Sequence, residues 1–449
     1  MRTVINGAAL GVALLAIGCG GGSESVRTPA LFSAQHEAQP LAMTPAPPSL
    51  PTPAPAPVPV NPAALPPPPA GGPPPKVPKG QPTIAVDVAR PAQTAPMLAR
   101  TVFLRGLDAP QDLAFAPDGT LFYTERNKGL AVRRTDGSVA RIFAPKELGA
   151  MFGVAVDTQF AINRFVYVFV TTERGEPRVI RLKIDAASAG VTERRDILAA
   201  GATARAAGAP HVGGALRFGA DGWLYIGIGD LLDPDAPQGA AVLGGKLLRV
   251  DRDGRPAAGN RSPTGFDARV FAYGLRNPTA LALPGREEVF VGEDGAGQDE
   301  VTRFSAGGNG GWDPRCARLA VISVASGYCG KPSSERQRPL APMTDLGRYP
   351  NAARPLWTNF NRAQGLAALA FLRGNGWKPW DGALAVAYAD GRRVDVLRLG
   401  ATGGVDEHAS MLGTLEHAVR ALALGADGAL YVATNGKAGG DEIWRLEPR

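Results

Sequence analysis

The sequence predicts an all-β domain built as a six-bladed β-propeller, and three observations support that prediction. A strand–turn–strand pattern recurs six times, and most copies are followed by a further strand-like segment. Three of the copies turn on an Asp-Gly pair, which supplies the positive φ of a tight hairpin. Helical periodicity is not sustained anywhere in the repeat region. Repeated units of several strands indicate a propeller, whereas a β-sandwich would not predict a repeated Asp-Gly hairpin.

Residues 1–19 have the pattern of an export signal. Arg2 precedes an apolar run from Ala8 to Ile17, which is too short to span a bilayer as a mature helix. The segment ends in "AIGC", which resembles a bacterial lipoprotein signal with Cys19 as the acylated residue, although Ala16 stands where Leu is usual. A plain secretory signal is the alternative. We therefore predict an exported protein that is periplasmic or anchored at the outer membrane through Cys19.

Residues 20–97 are rich in Pro and Ala and are predicted to form a disordered linker. Many of the 41 prolines of the chain lie between Thr44 and Gly80. Pro fixes φ and lacks an N–H, so this segment can join neither a helix interior nor a sheet, and it should be extended and solvated. The propeller is predicted over residues 98–449.

The six hairpin copies differ mainly in their turns. Asp118, Asp221 and Asp427 are predicted to be turn residues of the clearest copies. The aromatic residues Trp223, Tyr225 and Tyr431 are predicted to pack in the core rather than to bind a cofactor. The copies span Asp112–Arg126, Gly153–Thr171, Ala215–Asp230, Thr279–Asp294, Ala368–Asp390 and Ala421–Gly436.

Cysteine and charge content narrow the function classes. Cys316 and Cys329 are predicted to form a disulfide in an oxidising compartment, because metal or haem ligation lacks a C-x-x-C or C-x-x-C-H motif. The net charge is +7, and the arginines are scattered without a basic stripe of interleaved aromatics. This distribution argues against nucleic-acid binding.

Four segments depart from the bare repeat and could carry chemistry. His211 lies in "HVGG", Asp230 ends "IGIGD", and Arg276 and Asn277 lie in "AYGLRNP". Residues 292–301, "GEDGAGQDEV", could present oxygen ligands to a hard cation. Taken alone, His211 is more readily interpreted as a turn histidine at the channel rim, and Arg276 as a structural arginine between blades.

In this order and spacing the segments resemble the soluble glucose/sorbosone dehydrogenase family, six-bladed propellers that use pyrroloquinoline quinone (PQQ) and Ca²⁺. The similarity includes "GVAVDTQFAINRFVYVFV", "GKLLRVDRDG", "GLRNP" and "GGNGGW". The resemblance implies oxidation of an aldose sugar or related polyol by hydride transfer to the quinone. Electrons would pass to an external quinone or cytochrome, because the chain has no haem motif.

The resemblance also implies roles for individual residues at the reacting centre. His211 matches the general base that takes the hydroxyl proton of the sugar, a role that suits an imidazole because its pKa lies near neutral pH. Asp230 matches a carboxylate that orients this base. Arg276 and Asn277 match groups that contact the ortho-quinone, where a guanidinium would stabilise developing negative charge.

Further matches concern the metal and the rest of the cofactor. Gly295 and Ala296 lie where the family supplies backbone carbonyls to Ca²⁺, and Arg420 matches an arginine that binds cofactor carboxylates. Three positions depart from the family pattern, because Leu148, Asp390 and Ala418 stand where a polar or cationic residue is usual. Arg392 and Arg393 are the alternative cations for the position of Asp390. PQQ carries three carboxylates, so fewer cations predict weaker binding.

Other readings follow from the same residues. One alternative to the dehydrogenase is a non-catalytic propeller that binds a saccharide or a protein partner and has lost the cofactor. The other alternative is a lactonase or hydrolase that uses Ca²⁺ directly. Asp299 and Glu300 are predicted to accept hydrogen bonds between blades rather than to bind metal, and His408 and His417 are predicted to lie at the surface or the rim.

Overall fold

The computed structural model describes residues 95–449, except residues 202–210, 287, 296, 316–340, 360–362, 402 and 437–438. The signal, most of the linker, both cysteines of the predicted disulfide and Ala296 therefore lie outside the described residues. The described residues form an all-β propeller with six sheets, as the sequence predicts. Their only helices are a four-residue α-helix at Phe160–Asn163 and a short 3-10 helix at Asn375–Trp380. None of the described helices has the length and apolar character needed to cross a bilayer.

Each sheet is one blade, and its strands pair antiparallel from the channel outward. Blade 1 contains β2 (Pro110–Phe115), β3 (Leu121–Glu125), β4 (Gly129–Arg133) and β5 (Val139–Phe143). Blade 2 contains β6 (Leu148–Val156), β7 (Phe165–Thr172), β8 (Pro177–Ile184) and β9 (Val191–Ala199). Blade 3 contains β10 (Gly213–Phe218), β11 (Leu224–Ile228), β12 (Lys246–Val250) and β13 (Val270–Tyr273), and the short β17 (Gly308–Asn309) adds a parallel strand at its edge.

The second half of the chain repeats this arrangement. Blade 4 contains β14 (Pro278–Ala282), β15 (Val289–Glu293), β16 (Glu300–Phe304) and β18 (Trp357–Thr358). Blade 5 contains β19 (Leu366–Phe371), β20 (Leu384–Tyr388), β21 (Arg393–Leu399) and β22 (Val405–Leu412). Blade 6 contains β23 (Ala418–Leu424), β24 (Leu430–Asn435), β25 (Asp441–Pro448) and β1 (Leu98–Leu107).

Blade 6 closes the ring with strands from both ends of the domain. β1 pairs antiparallel with β25, in a register that places Leu98 opposite Pro448. The first strand of the domain therefore covers an edge that β25 would otherwise expose, which removes a site for edge-to-edge aggregation.

Three hairpins turn at their Asp-Gly pairs, as predicted. The second residues of these pairs, Gly119, Gly222 and Gly428, have φ between 77° and 87°. A side chain at such a φ would be strained, which explains the choice of glycine. The aspartates also anchor neighbouring aromatics, since the hydroxyl of Tyr225 donates to Asp221 at 2.9 Å. Tyr225 is buried and packs edge-on against Phe271 at 5.4 Å between ring centroids, so its predicted packing role is confirmed.

The six innermost strands β2, β6, β10, β14, β19 and β23 stand side by side in a closed ring around a central channel. Each carries a bulge in which two of its residues oppose one residue of the next strand, and β6 has a second one at Gly149–Ala150. A bulge re-aims a side chain that would otherwise follow the strand alternation. The other six bulged positions, one in each strand, are Gln111, Phe152–Gly153, Gly214–Ala215, Thr279, Ala367 and Arg420.

Candidate active site

A cavity of about 280 Å³ lies at the end of the channel where the innermost strands begin. One bulge from each of the six strands contributes residues to its wall, so the bulges place this end of every blade against the cavity. The polar residues of its lining are Gln111, Asp112, Arg126, His211, Arg217, Asn277, Thr279, Asp294, Asp390 and Arg420.

His211 lines this cavity, and Asp230 lies buried behind it. Nδ1 of His211 is 2.9 Å from Oδ1 of Asp230, and both residues are buried. The indole N–H of Trp312 donates to Oδ2 of the same aspartate at 2.8 Å, and the backbone N–H of Leu232 donates to Oδ1 at 3.0 Å. The carboxylate is thus held by two donors besides the imidazole, which fixes the ring orientation of His211.

The backbone around this pair is strained. His211, Leu231 and Leu232 have φ of 68°, 55° and 60°, and they are three of the eight non-glycine residues with positive φ in the described part of the chain. Gly229 allows the close approach, because a Cβ there would overlap the carbonyl oxygen of His211. Strain that the surrounding structure maintains is typical of functional sites. The hairpin β10–β11 thus brings His211 and Asp230 together, and the chain adopts strained φ values on both sides of the hairpin.

Arg276 and Asn277 reach the site from the start of β14. Asn277 lines the cavity, where its Oδ1 accepts the backbone N–H of Gly213 at 3.0 Å. Arg276 is not part of the cavity lining, and its terminal nitrogen donates to the carbonyl oxygen of Asp294 at 2.5 Å. Its guanidinium lies 5.8 Å from the ring centroid of Trp312, and its Nε is buried without a hydrogen-bond partner in the described structure.

The side chain of Glu293 binds the backbone of both Arg276 and Asn277. Its Oε1 accepts the backbone N–H groups of Arg276 at 2.7 Å and Asn277 at 3.2 Å. Burial, with a smaller effect from the charge of Glu300, raises the pKa of Glu293 to about 8. Sequence reasoning gave Glu293 no role, although it is the residue that fixes the backbone where Arg276 and Asn277 project.

Asp299 organises the loop predicted to bind Ca²⁺. Its Oδ1 accepts the backbone N–H of Gly295 at 3.1 Å, while Oδ2 accepts the side chain of Asn359 and the backbone N–H of Gln364, both at 2.7 Å. Burial raises the pKa of Asp299 to about 6. Asp299 therefore connects the loop of blade 4 to the chain that enters blade 5, which is the kind of contact that the sequence analysis predicts for it. Ala296 lies outside the described residues.

Glu300 is buried beside Glu293 as its cross-strand partner. It accepts hydrogen bonds from the side chains of Gln298 at 2.7 Å and Thr344 at 2.9 Å. Burial raises its pKa to about 7. Like Asp299, it ties the loop to neighbouring segments.

The three departures from the family pattern occupy different places. Asp390 lines the cavity, whereas Leu148 and Ala418 do not. Arg393, considered as a substitute cation, instead pairs with Asp395 at 2.8 Å on the outer part of blade 5. The other two described histidines also lie away from the cavity lining, and Nε2 of His408 is 2.9 Å from Asp395. A cation from blade 5 is therefore missing from this cavity lining.

Sequence reasoning also missed Trp312, Arg126 and the pair formed by Asp112 and Arg217. The terminal nitrogens of Arg217 donate to the carboxylate of Asp112 at 2.6 and 2.7 Å across the channel. Burial lowers the pKa of Arg217, and the ion pair more than offsets this effect, so the net shift is upward. Gln111, Thr279 and Arg420 are bulged residues at the same position of three repeat copies. An alignment of the copies at that position could have identified these residues as part of the cavity wall.

Comparison with known proteins adds a family to this geometry. The family model described as glucose/sorbosone dehydrogenase matches residues 107–445. The aldose sugar dehydrogenase YliI of Escherichia coli K12 is 25% identical over 364 residues, covering 76% of this chain and 91% of that protein. Quinoprotein glucose dehydrogenase B of Acinetobacter calcoaceticus is 28% identical over 266 residues, covering 51% of this chain and 54% of that protein.

A solved structure shows the same fold. It is the PQQ-bound form of aldose sugar dehydrogenase from Streptomyces coelicolor, with a TM-score of 0.61 and 23% identity, and the alignment covers 79% of this chain and all of that one.

Proposed function

The chain belongs to the glucose/sorbosone dehydrogenase family, and on that premise we propose that it oxidises an aldose sugar or related polyol with PQQ and Ca²⁺. The observation that carries this proposal is the buried pair of His211 and Asp230 at a polar cavity in the propeller channel. The family is one of PQQ-dependent sugar dehydrogenases, and curated relatives carry glucose and aldose sugar dehydrogenase names.

In this proposal His211 is the general base. Asp230 accepts a hydrogen bond from Nδ1–H, which leaves Nε2 as the ring nitrogen that takes the proton of the sugar hydroxyl. The positive charge that His211 then gains lies beside the carboxylate of Asp230, and the N–H of Trp312 keeps that carboxylate in place. Asp230 is thus a positioning residue whose charge stabilises the protonated imidazole.

The donors of the cavity fit an anionic quinone cofactor. Arg420 lines the cavity with a buried Nε that has no hydrogen-bond partner in the described structure, as expected for a guanidinium arranged for a ligand. Asn277 would hold a quinone oxygen, and the carbonyls of Gly295 and Ala296 would bind Ca²⁺. Arg276 lies outside the cavity lining and would reach the quinone only if its guanidinium left the carbonyl oxygen of Asp294. PQQ, when bound, supplies the ortho-quinone that accepts the hydride.

One observation favours a second candidate function. Asp390 lines the cavity where the family usually places a cation, and its negative charge opposes a tricarboxylate. A propeller that binds a saccharide or protein partner without PQQ would tolerate this change. We also propose export through residues 1–19, with Cys19 as the lipid-bearing residue, and an external quinone or cytochrome as electron acceptor.

Reconstitution of the purified apo-protein separates these functions. We would add PQQ and Ca²⁺, record the absorption spectrum of bound quinone, and follow dye reduction with a panel of aldoses. Bound quinone at micromolar PQQ together with sugar-dependent dye reduction supports the dehydrogenase. Saccharide binding by calorimetry without any PQQ binding would instead support the second candidate.

A further inference from the structure

Two arginine side chains share one wall of the cavity. Arg126 directly follows β3 in blade 1, and Arg420 is the bulged residue of β23 in blade 6. The innermost strands of these two blades, β2 and β23, are neighbours in the ring. Both arginines line the cavity, so two positive charges from adjacent blades face the same space.

Neither guanidinium has a carboxylate partner among the described residues. Cζ of Arg126 lies 5.1 Å from the ring centroid of Phe152, and Nε of Arg420 is buried without a hydrogen-bond partner. Arg217 shows the contrast within the same cavity, because its two terminal nitrogens both donate to Asp112. Both arginines are partly buried at the cavity, and two guanidinium groups that face one cavity without a carboxylate partner indicate space for an anion.

The two charges also repel each other. Burial lowers the pKa of Arg126, and the positive charge of Arg420 lowers it further. An anion bound between the two groups would remove this repulsion. A guanidinium matches a carboxylate especially well, since its N–H groups donate in pairs to the two oxygens.

Two aspartates give another part of the cavity wall negative charge. Asp294 follows β15 in blade 4 and Asp390 follows β20 in blade 5, and both line the cavity. The cavity is thus positive at blades 6 and 1 and negative at blades 4 and 5. A ligand with its carboxylates on one edge would turn that edge towards Arg126 and Arg420.

We infer that Arg126 and Arg420 form an arginine pair that binds the carboxylate edge of the cofactor, with Arg126 supplying the cation that is missing at Ala418. The ligand class is a rigid aromatic di- or tricarboxylate. This inference rests on the proposed function, because it identifies the carboxylates as those of PQQ. Arg126 would thereby supply a positive charge that Ala418 does not.

Binding measurements on the apo-protein test the arginine pair without relying on turnover. We would measure the Kd of PQQ by quenching of tryptophan fluorescence, and the shift in melting temperature caused by pyridine-2,4,6-tricarboxylate, for wild type, Arg126→Gln and Arg420→Gln. Arg133→Gln is the matched control. Arg133 belongs to blade 1, like Arg126, and its guanidinium also lies over an aromatic ring, that of Phe103 at 4.0 Å, but Arg133 does not line the cavity. Circular dichroism and the melting temperature without ligand establish that each variant is folded.

Each cavity variant should raise the Kd of PQQ about 30-fold, which corresponds to about 2 kcal/mol, while Arg133→Gln should change it less than about twofold. Unchanged PQQ binding in Arg126→Gln would overturn the arginine pair and leave the proposed function standing. A wild type that binds the tricarboxylate but not PQQ, with loss of binding in Arg126→Gln, would support the arginine pair and overturn the proposed function. Binding of neither ligand would overturn both.

Discussion

The two ends of the channel are formed by the same six strands, yet they differ in chemistry. Ten of the 24 residues that line the cavity at the start of the strands are polar or charged. At the other end, a cavity of about 610 Å³ has only four such residues among 24: Asp157, Thr158, Arg217 and Arg373. The apolar end lies beside the Asp-Gly turns, which repeat because they satisfy a backbone requirement. The polar end carries the bulges and the loops after the second strands, where the copies diverge.

This difference shows where a repeat protein places its function. Residues that recur in every copy stabilise the blade, and residues that break the recurrence face the ligand. Arg217 and Asp112 lie at the boundary, because Arg217 lines both cavities and Asp112 lines only the polar one. Substitutions at the two ends and at this boundary should therefore have unequal effects.

The largest effect is expected for His211→Ala at the polar end. Because His211 is the proposed general base, its loss should lower the rate of sugar oxidation about 1000-fold, with PQQ binding retained. Steady-state dye reduction by the reconstituted enzyme measures this effect. The matched control is His408→Ala, which also removes an imidazole paired with an aspartate but lies away from the cavity. Equal losses in the two variants would contradict the role of His211.

Asp112→Ala tests the boundary through stability. It leaves the guanidinium of Arg217 unpaired and deprives the backbone N–H of Val154 of its acceptor at 3.0 Å. The free energy of unfolding in urea should fall by about 3 kcal/mol. The double variant Asp112→Ala/Arg217→Met should recover part of this loss because no unpaired charge remains. A double variant less stable than the single one would show that the ion pair does not account for the loss.

Asp230→Asn should lower kcat about 100-fold with little change in KM. In the variant, the amide oxygen of Asn takes the place of Oδ2 and accepts the hydrogen bond from Trp312. The amide NH₂ group then faces Nδ1 of His211. The imidazole must then carry its proton on Nε2 and can no longer accept one there, as in the comparable substitution of serine proteases. A variant with raised KM and unchanged kcat would assign Asp230 to substrate binding instead.

Glu300→Gln tests the buried carboxylates beneath the polar end. The pKa of Glu300 is about 7 in the fold, above its ordinary 4.5, so the folded state favours the protonated form. The free energy of unfolding of wild type should therefore decrease as pH rises from about 4.5 to 7, by roughly 1–2 kcal/mol. Urea unfolding without Ca²⁺ at pH 5 and pH 7.5 measures this slope. The slope should be smaller in the variant, and an equal slope would rule out Glu300 as its source.

The smallest effect is expected at the apolar end. Arg373→Gln makes the same chemical change as Arg420→Gln, but Arg373 lines the other cavity, next to Phe371. PQQ affinity and turnover should change less than about twofold, since Arg373 lines the other cavity and not the one that Arg420 lines. A loss similar to that of Arg420→Gln would mean that the whole channel, rather than one end, controls the cofactor.

The fold was predictable because its signals are local. An Asp-Gly turn and its flanking strands lie within about twenty residues, and β10 and β11 bring His211 to Asp230 within one such unit. The bond from Trp312 to Asp230 joins residues 82 positions apart, and no local pattern encodes it. Arg126 was missed because it follows an ordinary strand in blade 1. Its place in the cavity wall depends on how the six blades close into a ring, which no local pattern in the sequence encodes.

Ring closure also orders the folding of the domain in time. β25 lies between β24 and β1, so β1 has no partner in blade 6 until residues 441–448 leave the ribosome. Contacts between strands more than 300 residues apart close a very long loop and form slowly. A nascent chain of this protein therefore keeps blade 6 open until its last strand, β25, has been synthesised, and the ring can close only after that point.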